Sequence, residues 1–351
     1  MALEIDHFPG RMIRNGEGKY LYFGGTAYLG LQTHPEFLER FQKNLEVHGT
    51  TYAASRHANV QLHPFGAGEQ WLAGIAGAEN ALYVSSGFAA CQLARKYFGS
   101  QGDPLFFAPH THAALLVPGD RIHRDLEELR NAILETLETQ PDLTPVLFFD
   151  TVDFAGTKPL QFEWLSSLPL EKMILVADDS HAIGITGEQG GGSYRTLSDM
   201  QPKKLLVCGS MGKGFGIGGG FLLGSREDIK KISQDPWFGG SGPGTAAGLE
   251  TLVQSEELLE ERRELLERNT ELFVKECEYL DRFAWSEGYP CFSISDDALP
   301  GYLKERGVVI TNFHYPNADS PLMCRIVISA FHEENDILQL TQTLNEYFKK
   351  Y

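Results

Sequence analysis

An α/β fold with a mostly parallel central sheet, followed by a smaller C-terminal α/β domain, is what the sequence predicts. Three observations carry that expectation. Short apolar runs alternate with helical patterns, which implies a sheet covered by helices on its faces. The 37 glycines of the 351 residues, roughly half as many again as the usual ~7%, cluster at 184–192, 209–224 and 239–248, beside those runs. A long charged helical pattern then separates the first part of the chain from a second set of strands and helices. The implied division is an N-terminal segment at 1–45, a large domain at 46–240, and an interdomain helix with a small domain at 241–351.

The strands expected in the large domain are Ala81–Val84, Leu105–Ala108, Val146–Phe149, Met173–Ala177, Leu205–Cys208 and Gly220–Leu223. Each is short, apolar throughout and bounded by turn residues, the signature of a strand buried on both faces. Gly87–Phe98 and Asp125–Thr139 read as helices, the second with Leu126, Leu129, Ile133 and Leu137 near three-and-four spacing. From Thr245 to Leu280 one long helix is expected, because its apolar residues keep no strict heptad and a coiled coil needs one. Short strands and helices at Cys291–Ile294, Leu299–Glu305, Val308–Thr311, Arg325–Ser329 and Glu333–Phe348 complete the small domain.

Composition narrows the function. With 30 Lys+Arg against 47 Asp+Glu, the net charge of −17 argues against nucleic acid, whose phosphates need a basic face. No apolar stretch approaches the ~18 residues of a membrane span. The opening MALEIDHFPGRMIRNGEG has no apolar h-region, so no secretory leader is expected. The five cysteines are scattered and lack CxxC spacing, which suits free thiols in a reducing, cytoplasmic setting.

The strongest motif is Gly209–Gly220, GSMGKGFGIGGG. It fails as a phosphate-binding P-loop, because Gly214 follows Lys213 and Val207 stands where the first glycine belongs. Gly214, Gly216 and Gly219 match a dinucleotide fingerprint, but an apolar strand follows where a helix is required. The remaining reading is a lysine held at a strand end, where desolvation makes its amine a nucleophile toward an aldehyde; a surface lysine in a flexible turn is the plainer alternative. Upstream, the strand before Asp178 ends in that carboxylate, with His181 three residues on. A buried strand-end carboxylate needs a cation, and a protonated pyridine is one; a helix cap or ion pair would also explain it. Ser85-Ser86-Gly87-Phe88 places a turn before a helix, whose N-terminal amides bind phosphate. His110 and His112 follow another strand, and together with Asp178 and His181 they could serve a metal hydrolase. That alternative leaves the Lys213 loop and Arg325 unexplained. His112 could equally lie over a flat cofactor ring.

These residues together resemble the α-oxoamine synthases, pyridoxal-phosphate (PLP) enzymes of aminotransferase fold type I. The group includes 8-amino-7-oxononanoate synthase, 2-amino-3-ketobutyrate CoA ligase, 5-aminolevulinate synthase and serine palmitoyltransferase. The similarity runs along nearly the whole chain: Ala27–Pro35 (AYLGLQTHP), Ser55-Arg56, Leu62-His63, Ser86–Ala90, Asp178–His181 with Gly184 and Gly187–Gly190, Gly212–Gly216, and Arg325–Ala330 with His332. It implies a PLP-dependent acyltransferase that condenses a small amino acid with an acyl-CoA or other acyl thioester, losing carbon dioxide, to give a 2-amino ketone. It implies a homodimer with shared sites and no resident metal.

The resemblance also implies roles. Lys213 would form the internal Schiff base and then move the proton. Asp178 would pair with the pyridine N–H, His181 with the phenolic oxygen, and His112 would stack on the ring. Ser86, Gly87, Phe88 and Ser210 would hold the phosphate, with Ser241 reaching the phosphate of the neighbouring subunit. Arg325 would take the substrate carboxylate, with Thr26 nearby. The departures are Thr26 and Ala27 in the opening motif, Cys91 in place of the asparagine that ends the SGFAAN turn, and a shortened segment at Asp150–Thr157. They give an aminotransferase or another α-carbon PLP enzyme as the second reading. A catalytically silent partner subunit is opposed by the intact Lys213, Asp178 and His112.

Overall fold

The computed structural model describes residues 3–16, 18–152, 162–314, 319–320 and 322–351. Its strands are β1 (Met12–Asn15), β2 (Gly18–Phe23), β3 (Asn80–Val84), β4 (Leu105–Phe107), β5 (Val146–Asp150), β6 (Ile174–Asp178), β7 (Lys204–Ser210), β8 (Gly220–Gly224), β9 (Cys291–Ile294), β10 (Val308–His314) and β11 (Leu322–Val327). Its α-helices are α1 (Pro35–His48), α2 (His63–Ala76), α3 (Gly87–Gly99), α4 (Leu126–Thr139), α5 (Tyr194–Asp199), α6 (Arg226–Ser233), α7 (Pro236–Gly240), α8 (Ala246–Val253), α9 (Glu256–Glu276), α10 (Leu299–Lys304) and α11 (Glu334–Lys350). Two compact units result. One holds Glu36–Phe154 and Leu160–Glu256; the other holds Met1–Pro35 and Glu257–Tyr351.

The larger unit carries a six-stranded sheet in the order β3-β8-β7-β6-β5-β4. β4 through β7 are parallel neighbours, and β8 runs antiparallel to both β7 and β3. The sheet is therefore mostly parallel, as expected, with one reversed strand. Period-two alternation sends Val146, Phe148, Ile174, Val176, Leu206 and Cys208 into one cluster with Ala90, Cys91, Leu93, Ala94 and Phe98 of α3. The intervening Leu147, Phe149, Leu175, Ala177 and Val207 are buried as well. Burial of both faces is why these strands read as continuous apolar runs.

Local chemistry starts the helices where the sequence suggests. Asp125 caps α4, its carboxylate accepting from the Glu128 amide at 2.8 Å. The expected single helix from 245 to 280 is corrected to two, α8 and α9. At the break, Arg40 donates to the Gln254 carbonyl, and the Ser255 hydroxyl donates to the Thr251 carbonyl at 2.6 Å. Side-chain donors thus take carbonyls that a continuous helix would have used. Among the described residues, no helix is long and apolar enough to cross a membrane. All five cysteines are free and buried.

The second unit has a five-stranded sheet, β1-β2-β10-β11-β9. β2 pairs with β10 in parallel and the other neighbours are antiparallel, so N-terminal residues complete the C-terminal sheet. His332 locks this joint. Its ring stacks on Phe23 with centroids 4.0 Å apart. Nδ1 accepts from the Ser329 amide at 3.0 Å, and Nε2 donates to the Tyr22 carbonyl at 3.0 Å. Burial pushes the His332 pKa down to about 4, from 6.5, so the folded state holds the neutral ring while the unfolded chain takes the proton first. The ring's contribution is fully present above pH 6.5 and is lost as pH falls toward 4, by about 3 kcal/mol. Denaturant unfolding across that range should show the loss, and His332→Gln should flatten it.

Candidate active site

The polar residues of the larger unit gather where β5, β6 and β7 end. Asp150 and Asp178 are paired neighbours on β5 and β6, and Asp178 faces Cys208 of β7. Asp178 is buried. Its Oδ1 accepts from the Ser180 amide at 2.9 Å, and its Oδ2 from the Cys91 thiol at 3.3 Å. Asp179 faces the other way and is fully buried. Its carboxylate accepts from the Thr151 hydroxyl at 2.6 Å and the Ser193 amide at 2.9 Å. Burial raises its pKa, and these donors offset part of the rise. Asp179 thereby anchors the turn that presents His181.

Across that turn, Lys213 Nζ lies 2.8 Å from His181 Nε2. The loop carrying Lys213 is pinned at both ends, by Met211 N to Gly219 O at 3.0 Å and Ile217 N to Met211 O at 3.2 Å. Gly214 is required there, because a Cβ would sit 2.4 Å from the Ile183 carbonyl oxygen. His112 is half-buried. Its backbone amide donates to Asp150 Oδ2 at 2.7 Å, and its Nδ1 accepts from the Ala114 amide at 3.2 Å. Burial lowers its pKa, the Asp178 carboxylate opposes that, and Lys213 adds to it. The ring is neutral at neutral pH and carries its proton on Nε2. His110, by contrast, is exposed, and among the described residues no three His, Cys, Asp or Glu side chains gather as a metal site would need.

The phosphate-binding candidates also converge. Ser86 caps α3, its Oγ accepting from the Ala89 amide at 3.1 Å. The first amides of the helix, including those of Gly87 and Phe88, have no acceptor within it. Ser210 abuts them: a Cβ on Gly87 would lie 2.6 Å from Ser210 Cβ, so only glycine allows this approach. Ser210 is held in turn by its amide, 2.9 Å from Ser180 Oγ. Ser241 ends α7 and is exposed. Thr26 and Arg325 belong to the other unit. There Thr26 is half-buried beside Gly25, whose amide donates to Thr311 Oγ1 at 3.3 Å. Arg325 is buried on β11, opposite Ser293 and Thr311.

Asp150, Ser180 and the Cys91 contact were not singled out by sequence reasoning. Asp150 had a visible signal, since VLFF-Asp repeats the pattern of an apolar strand ending in a carboxylate. Residues 153–157 of the shortened segment lie outside the described residues.

The donor set fits PLP. An amine for the aldehyde, a buried carboxylate for a pyridine nitrogen, a neutral imidazole and a helix N-terminus against a serine lie in one unit at one end of one sheet. The family model for aminotransferase class I and II matches residues 119–344. The chain is 30% identical to 8-amino-7-oxononanoate synthase of Aliivibrio fischeri (strain MJ11) over 94% of its own length and 90% of that protein's. Among solved structures it superimposes on SPT with PLP internal aldimine at a TM-score of 0.84 and 16% identity, covering 99% of this chain and 92% of that one. It matches the 8-amino-7-oxononanoate synthase of Francisella tularensis at a TM-score of 0.73 and 19% identity, covering 94% and 98%. The chain belongs to the aminotransferase class I and II family and, within it, to the α-oxoamine synthases, which are PLP-dependent acyltransferases.

Proposed function

We propose that this enzyme condenses a small amino acid with an acyl-CoA, or a related acyl thioester, and releases carbon dioxide to form a 2-amino ketone. The observation that carries the reading is Lys213 Nζ at 2.8 Å from His181, at the strand end that also presents Asp178 and the α3 N-terminus. Bound PLP supplies an electron sink for negative charge at the substrate's α-carbon. With PLP bound, Lys213 would hold the cofactor's aldehyde carbon, and its amine would serve as the base for a proton at the substrate's α-carbon. His181 would orient that amine. Asp178 would hold a proton on the ring nitrogen, and His112 would lie against the ring. The amides of Gly87 and Phe88, with Ser86 and Ser210, take the phosphate. Arg325 and Thr26 are the candidates for substrate binding, Arg325 because its guanidinium suits a bidentate pair with a carboxylate.

We also infer a homodimer in which Ser241 serves the neighbouring site. The exposure of Phe88 (62%) and Trp237 (53%) supports a covering partner. The test is a visible absorption titration of PLP-loaded protein with glycine, L-alanine and L-serine in turn, each followed by an acyl-CoA. A long-wavelength band that grows only when thioester joins amino acid is expected. Bleaching by the amino acid alone, restored by a keto acid, would replace the synthase reading with an aminotransferase. Sedimentation of the same preparation should give two chains per particle, and one chain would remove the shared site.

A further inference from the structure

The structure assigns Cys91 as a positioning residue for Asp178, its S–H fixing the carboxylate that faces the cofactor ring. This rests on the proposed pairing of Asp178 with the pyridine nitrogen. Cys91 lies in the first turns of α3 and is 1% exposed; Cys208, on β7, is 0% exposed. Their sulfurs are 3.6 Å apart, and Cys208 Sγ is also 3.6 Å from the Ala177 carbonyl oxygen. Cys91 Sγ then stands 3.3 Å from Asp178 Oδ2. The three groups form a row from the sheet interior to the carboxylate.

A carboxylate has two oxygens to place. The Ser180 amide holds Oδ1, and this is a backbone donor that fixes one oxygen and leaves rotation about it. The Cys91 thiol holds the other. Cys91 keeps its proton because the Cys208 contact, burial and the Asp178 charge all raise its pKa well above the ordinary thiol value. Burial of both sulfurs also keeps oxidants away, so the pair is not a reactive dithiol.

Asp150 on the next strand and Asp179 in the same turn are acidic neighbours of this carboxylate, and the His112 ring feels its charge. Cys91, a departure from the asparagine of the SGFAAN turn that the resemblance implies, supplies a donor to Asp178 at this position.

The experiment compares the holoenzyme with Cys91→Ala, Cys91→Ser and Cys208→Ala. The readouts are kcat, KM for the acyl thioester and the pH midpoint of cofactor absorbance. Cys91→Ala is expected to lower kcat about tenfold and to move the midpoint by about one pH unit, the two expressions of one lost charge-assisted contact. KM should stay within about twofold. Cys91→Ser, which keeps a donor, should return both readouts most of the way. Cys208→Ala removes the same volume one position deeper and should keep the wild-type midpoint. The assignment is overturned if Cys91→Ala keeps the wild-type midpoint, if Cys91→Ser falls as far as Cys91→Ala, or if Cys208→Ala shifts the midpoint equally. A wild-type protein that shows no cofactor band fails the underlying functional reading instead, and that result is seen before any variant is made.

Discussion

Replacing Lys213 by alanine is expected to end turnover, lowering kcat by more than about a thousandfold. Both functions proposed for Lys213 rest on one nitrogen: the hold on the cofactor and the movement of the α-proton. Lys213 Nζ, 2.8 Å from His181 Nε2, is the amine this site presents for both tasks. Folding should survive the change. Lys213 is only half-buried in a loop whose shape is set by backbone contacts on both sides of it, and substitutions of this kind usually stay within about 0.5 kcal/mol. The check is borohydride reduction followed by peptide mass mapping. Wild-type protein should carry the cofactor on the peptide containing Lys213, and Lys213→Ala should carry none while still retaining PLP noncovalently through the α3 N-terminus. Turnover above about a tenth of wild type in the variant would take Lys213 out of the chemistry.

What the sequence revealed follows from how local each feature is. The strands of the larger unit are visible because burial on both faces writes itself as an unbroken apolar run, as in Val146–Phe149. The carboxylate, histidine and lysine were visible because each stands directly at the end of such a run or among glycines that forbid side chains. The break between α8 and α9 was invisible, since it depends on Arg40, more than two hundred residues earlier, reaching the Gln254 carbonyl. The pairing of Leu21–Phe23 with Val308–Ile310 was invisible for the same reason: three residues of a short strand carry no local sign of their distant partner. The Cys91–Asp178 contact joins residues 87 apart. From sequence, Cys91 is a departure from the asparagine of the SGFAAN turn, and its donor role emerges only when α3 is laid across β6 and β7.

The same contact shapes the second large effect, the loss of the Asp178 charge. Asp178→Asn keeps the volume and can still accept the Ser180 amide. What disappears is the negative charge proposed to hold a proton on the ring nitrogen. Removing one member of a buried charge pair costs about 3–5 kcal/mol, which corresponds to a fall in kcat of roughly a thousandfold. Stability without cofactor should stay level, because Asp178→Asn keeps the side-chain volume and the acceptor for the Ser180 amide. A variant that turns over slowly yet unfolds no more readily is therefore the expected pair of results, measured by steady-state kinetics and denaturant unfolding on the same sample. The double variant Asp178→Asn/Cys91→Ala sharpens the argument. If the thiol acts through the carboxylate charge, removing it after the charge is gone should change kcat by less than about twofold, against tenfold in the parent, so the two effects should be strongly non-additive. Independent, additive losses would mean that Cys91 only fills space and that Asp178 acts without it. A kcat within about threefold of wild type for Asp178→Asn alone would reduce Asp178 to a turn-holding acceptor for Ser180, and the electron sink would need another counter-charge.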